Sequence, residues 1–341
     1  MNLPEIKVMK TAFARFVMNS PKRLAMPIGV YAGLEMTGAT VHDAISNPQA
    51  QFEAQAALHE RFHTPILLTA MDLSAEAETF GCQIRITEDE IPTVIGRRAT
   101  SLAEVQALPS PEPGDKRTRV HLETARSLTK LGKDVPVLGG LIGPFSLAGR
   151  IFGVSEALEV TLTEPEMITA LLEHTTRFLI AYAKAFREVG ASGVIMAEPA
   201  AGLLSPNSLA EFSSVYIHRL IDEVQTDDFT IVLHNCGARL AHLPKILASG
   251  AEVFHFGAPM DLLAALNKVT PEGREPEVIL AGNLDPTAVF YNSTPEIVQA
   301  QTRQLLKDTA AYRNYVISSG CDIPPGTPIE NLATFYQAVA E

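Results

Sequence analysis

The sequence predicts an α/β fold, a (β/α)8 TIM barrel with an N-terminal helix and a hairpin-containing insertion between its second and third strands. Three observations lead there. Eight short apolar runs alternate along the chain with stretches of helical period. The runs are apolar on both faces, as strands held between a filled barrel and a ring of helices must be. No Gly-rich turn of the dinucleotide type follows the first run, which argues against a doubly wound open sheet, the structural alternative.

The elements follow in order. Ile6, Met9, Phe13 and Phe16 make one helical stripe over residues 5–18, and Ser20-Pro21 stops it. Strands are expected at 25–31, 65–72, 135–143, 193–198, 229–236, 252–257, 278–283 and 315–321. Helices fall between them, for example at 47–62, 165–189, 208–224, 240–248 and 295–310; Pro165 and Pro295 stand where first-turn prolines do. Residues 76–116 do not fit the repeat. There IRITED and IPTVIGR read as the two arms of a hairpin and PSPEPGD as a turn-rich connector, so we expect an insertion on one barrel domain spanning 1–341.

Composition narrows the function. The 341 residues are 46% hydrophobic, ample for a large core, and the net charge of −12 comes with no basic cluster suited to a phosphate backbone, so nucleic acid is not an expected partner. The N-terminus MNLPEIKVMK lacks a signal-peptide pattern, and the longest apolar tract, 135–149, is broken by prolines and glycines, so no membrane span is expected. Three cysteines fit reduced thiols better than a disulfide framework. A cytoplasmic location is the expectation.

Polar residues gather where a barrel of this kind keeps its chemistry. Tyr31, Asp72, Glu198, His234, Cys236, His255, Asn283, Asp285 and Cys321 all stand at or just past strand ends. In VLHNCG, strand alternation puts His234 and Cys236 on one face with Thr230 and Val232. Cys321 ends a distant run, yet the inward ends of barrel strands converge. Two thiolates and an imidazole are three ligands of a tetrahedral zinc with a position left open, whereas a lone cysteine or histidine is more often a core group. Cys82, inside the insertion, reads as a buried structural thiol. Glu198 either orients a bound group or caps a turn. His255 is a candidate ligand, proton carrier or partner of a ligand. Asn283 and Asp285 either contact a ligand or build an Asn/Asp-Pro turn, and the glycines of GGLIGPFSLAGR either admit a ligand close to the backbone or make a tight turn.

The motifs GGLIGPFSLAGR, GVIMAEPAAGLLSP, VLHNCG, AGNLDPTAVF and SSGCDIPPGTPIENL together resemble the uroporphyrinogen decarboxylase superfamily. Within it they resemble the branch of zinc-dependent methylcobalamin:coenzyme M methyltransferases, the MtaA/CmuA type. The likeness runs from the second strand to the C-terminus. It implies a (β/α)8 barrel, Zn2+ held by His234, Cys236 and Cys321, and methyl transfer from a methylated corrinoid (methylcobalamin) to a thiol such as coenzyme M, the corrinoid arriving on a separate protein. Two departures stand out. The decarboxylases carry an arginine-containing RQAGRY motif for substrate carboxylates, where this chain reads PIGVYAGLEM. After the sixth strand it reads HFGAPMD, which leaves His255, water or Glu198 to complete the zinc shell. A parent-type decarboxylase, a donor-side corrinoid methyltransferase and a structural zinc site are the alternatives.

Overall fold

The computed structural model describes residues 9–132, 134–270, 273 and 275–341. Seven parallel strands form the central sheet: β1 (Leu67–Leu68), β4 (Val137–Ile142), β5 (Gly193–Ala197), β6 (Thr230–Asn235), β7 (Val253–Phe256), β8 (Ile279–Leu284) and β9 (Tyr315–Ser319), neighbours in that order. β2 (Gln83–Arg85) and β3 (Thr93–Ile95) pair antiparallel as a separate two-stranded sheet.

Alternation sorts the strand side chains into two apolar layers. Ile195, Val232, Val253, Ile279 and Val316 point inward and pack in one cluster with Met26, Ile28 and Leu68, filling the barrel. Val194, Ile231, Leu233, Phe254, Leu280 and Ile317 point outward into the larger cluster shared with the surrounding helices. Burial on both faces explains the continuously apolar runs.

The first two expected strands are shorter than the sequence pattern implies. Residues 25–31 contribute a single parallel bridge, Ala25 to Ile317, with Met26 N donating to Ile317 O at 2.9 Å. Pro27 has no amide to give, Ile28 N goes to the Ser319 side chain, and the chain turns into a 3-10 helix at Tyr31–Gly33. The second expected strand, 65–72, keeps only Leu67–Leu68 as ladder. Its continuation is held by side chains: Thr69 Oγ1 accepts from Gly140 N at 2.7 Å and Gln51 Oε1 accepts from Ala70 N at 3.0 Å. The two edges of the seven-stranded sheet are therefore continued partly through side-chain bonds.

Of the predicted 5–18 helix, Ala12–Asn19 is helical, capped by Thr11; residues 9–11 lie before the helix, and residues 5–8 lie outside those described. Among the described residues no helix is long and apolar enough to cross a membrane.

Candidate metal centre

β6 carries His234 inward one step above Val232, in register with Ala197 on one side and His255 on the other. His234 is buried, and a chain of hydrogen bonds assigns its tautomer. Ser318 Oγ donates to Met26 O at 2.5 Å, so Ser318 accepts from His255 Nε2 at 2.7 Å. His255 Nδ1 is then left to accept from His234 Nδ1 at 2.8 Å. Burial and the neighbouring His234 hold the His255 pKa well below the ordinary histidine value, which keeps this ring neutral. The outcome is a bare lone pair on His234 Nε2, a buried atom with no hydrogen-bond partner.

Two cysteines meet that lone pair. Cys236 is the first residue beyond β6, Cys321 lies two past β9, and the ligand atoms of His234, Cys236 and Cys321 all lie within 4.8 Å of one another. The loops come together because the chain is bare between them. A Cβ on Gly257 would stand 2.2 Å from Cys236 O, and one on Gly320 would stand 2.8 Å from Ala258 N. Asn283 fixes the loop between, its Nδ2 donating to Gly257 O at 3.1 Å and Met260 O at 2.8 Å. The thiols are coupled: hydrogen bonding to Cys321 lowers the Cys236 pKa to about 7, while the same hydrogen bond and burial push Cys321 up to about 12.

The group fits zinc. Ligands on one tetrahedral zinc stand roughly 3.5–3.8 Å apart for bonds of about 2.0–2.3 Å, so small side-chain rotations suffice. The unpartnered Nε2 between two thiols is the donor such an ion requires.

The remaining expected site residues are placed differently. Glu198 is buried with both oxygens engaged: Phe145 N and Ser146 N donate to it at 2.8 Å each, and Ser213 Oγ at 2.9 Å. It therefore holds the N-terminus of the helix Pro144–Phe152 and stands outside the metal group. With both ring nitrogens of His255 occupied, neither residue completes the ligand set in this arrangement. Asp285 caps the turn Pro286–Tyr291 through Thr287 N and Ala288 N. Asp72 pairs with Arg117, which also binds Glu78 and Ser74. Tyr31 is fully buried and its hydroxyl has no partner.

Three residues not anticipated from the sequence belong to this region. Ser318 sets the histidine tautomers. Glu76, buried, accepts from Ile142 N through Oε1 while Oε2 is unpartnered, and burial raises its pKa to about 8. Asp322, next to Cys321, has two buried oxygens with no partner, and burial and the cysteine hold its pKa well above the usual carboxylate range. The adjacency of Asp322 to Cys321 in GCD was the available signal.

Comparison with known proteins places this geometry in a family. The profile of the family Uroporphyrinogen decarboxylase (URO-D) matches residues 21–341. The chain belongs to the uroporphyrinogen decarboxylase family. Within this family it is 31% identical over 312 residues to the methylcobamide:CoM methyltransferase MtbA of Methanosarcina mazei, covering 89% of this chain and 88% of the relative. It is 25% identical over 314 residues to the methylcobamide:CoM methyltransferase MtaA of Methanosarcina barkeri, covering 91% and 89%. A solved methyltransferase structure from Methanosarcina mazei superposes with a TM-score of 0.85 at 23% identity over 97% of this chain and 98% of the other, which establishes the TIM-barrel fold.

Proposed function

We propose that this member of the uroporphyrinogen decarboxylase family is a zinc-dependent methyltransferase that moves a methyl group from a methylated corrinoid to a small thiol. The observation that carries the reading is the His234, Cys236 and Cys321 group with its unpartnered imidazole nitrogen. Zinc held by these three residues would supply Lewis acidity, so that a substrate thiol ionises near neutral pH. In the overall reaction the sulfur lone pair forms the new S–C bond as the C–Co bond of methylcobalamin breaks, and its electron pair leaves with cobalt(I).

The chain's own part is to orient and exclude. His255 and Ser318 hold His234 as the Nδ1–H tautomer, and the bare glycines bring the two cysteine loops together. The names of the curated relatives supply the corrinoid and thiol classes. A separate corrinoid protein is the expected carrier, docking where the strands end. A tetra-acid porphyrinogen finds little here, because residues 27–36 hold no arginine and Arg117 is committed to Asp72 and Glu78.

Anaerobic spectrophotometry tests the reading. The zinc-loaded protein should convert methylcobalamin to cobalt(I) when a thiol is present, and His234→Ala should lose the activity by at least about a hundredfold, as loss of an essential ligand does. Methylcobalamin left untouched across thiols, with a methylated amine or ether methylating cobalt(I) instead, would reverse the direction of transfer.

A further inference from the structure

At the end of the barrel opposite the metal group, three cations surround one small cavity. Cys321 lies two residues beyond the C-terminal end of β9. Tyr315, the first residue of that strand, walls a cavity of about 190 Å³ together with Ser20, Lys22, Arg23, Tyr312 and Arg313. No aspartate or glutamate lines it among the described residues.

Arg23 is half-buried. Its Nη1 donates to Tyr312 O at 2.7 Å and to Tyr315 O at 2.6 Å, and its Nη2 donates to Thr309 O at 2.9 Å. The guanidinium also stands 5.1 Å from the centre of the Tyr315 ring. All these partners are neutral. A guanidinium has more N–H donors than these bonds use, so part of its fork is unpaired among the described residues. Burial lowers its pKa, as it does for a cation taken from water without a counter-ion. Arg313 gives one donor to Met18 O at 3.1 Å, and Lys22 is exposed, its ammonium without a bond among the described residues.

The plain role of these cations is to neutralise carbonyls at the C-terminal ends of the helices Ala12–Asn19 and Pro295–Asp308. That role does not exhaust their charge. Each helix end carries about half a negative charge, so the two ends offset only about one of the cations. The remainder, about two positive charges, matches a dianion.

We propose that Lys22, Arg23 and Arg313 form a binding site for a phosphate group, separate from the metal centre. The unpaired donors of two guanidinium groups suit phosphate oxygens, and phosphate near neutral pH brings close to two negative charges. The cavity is smaller than the roughly 300–1,000 Å³ that organic ligands occupy, so it takes the phosphate and leaves the rest of a phosphoester outside.

Calorimetric titration of the full, zinc-loaded chain tests the site. Inorganic phosphate and glycerol 3-phosphate are the two probes, with ionic strength held constant by sodium chloride. Phosphate should bind at about one per chain and raise the unfolding temperature as its concentration rises. Arg313→Gln should weaken binding about tenfold, the usual worth of one charge-assisted hydrogen bond, and Lys22→Gln several-fold. Because the Lys22 ammonium bonds to no backbone group among the described residues, Lys22→Gln decides the matter if Arg313→Gln does not fold. Comparable binding of both probes supports a phosphoester as ligand, and binding of inorganic phosphate alone supports the free ion. No binding above the sodium chloride blank overturns the inference. Affinity that neither substitution changes overturns it too, since the ion is then held elsewhere, as on the zinc.

Discussion

His234 owes its metal-binding face to a proton held on the opposite side of its ring. The relay from Met26 O through Ser318 and His255 fixes that proton on Nδ1, and each link is a buried hydrogen bond. Such outer contacts typically alter metal affinity by about 10–100-fold when removed. Ser318→Ala should therefore weaken zinc binding by roughly tenfold or more, measured by competition with a chelating dye, while the fold persists. Unchanged affinity would mean the tautomer is set by something else. Glu76 gives a second prediction at this scale. Its folded pKa of about 8 lies above the ordinary 4.5, so between these values the folded state binds more protons than the unfolded state. Stability linked to Glu76 is then fully present below that window and declines as pH rises through it. Glu76→Gln keeps an acceptor for Ile142 N but cannot ionise. Relative to this variant, the wild type should lose on the order of a few kcal/mol between pH 4.5 and 8, read from denaturant unfolding at several pH values. Parallel pH profiles for the two proteins would refute the assignment.

At the scale of elements, strand ends and bare loops build the centre together. β6 and β9 deliver the ligands, and Gly257 in the loop after β7 lets Cys236 approach. Gly257→Ala would drive a methyl group to 2.2 Å from Cys236 O, a backbone atom that cannot rotate away. We expect a loss of about 1–3 kcal/mol in stability, as overpacking usually costs, together with weaker zinc retention. Full stability and full zinc in this variant would show that the loops are slack. The later strands were legible in the sequence because burial on both faces leaves an unbroken apolar run, as in β6 and β9. The first two were overestimated, because Thr69, Gln51 and Ser319 replace ladder bonds with side-chain bonds that leave no periodic trace. Glu198 and Asp285 show a similar limit. A carboxylate at a strand end looks the same in sequence whether it faces a ligand or the N-terminus of a helix or turn, and here both hold such termini.

For the whole molecule, the barrel brings together residues remote in the chain. His234 and Cys236 were readable as a pair from alternation, and Cys321 joined them through the convergence of inward strand ends. Ser318 and Glu76 were not readable, since their importance lies in partners gained or missing only once the chain has folded, and Asp322 left only its adjacency to Cys321 as a signal. Methyl transfer to a thiol by this chain requires that the three ligands share one zinc with room for that thiol. X-ray absorption at the zinc edge measures this most directly, on the protein alone and after adding a thiol that supports turnover. The protein alone should hold about one zinc per chain with two sulfurs and an imidazole in the first shell, and the thiol should add a third sulfur. A shell that the thiol leaves unchanged, or two protein sulfurs retained in Cys321→Ser, would contradict it.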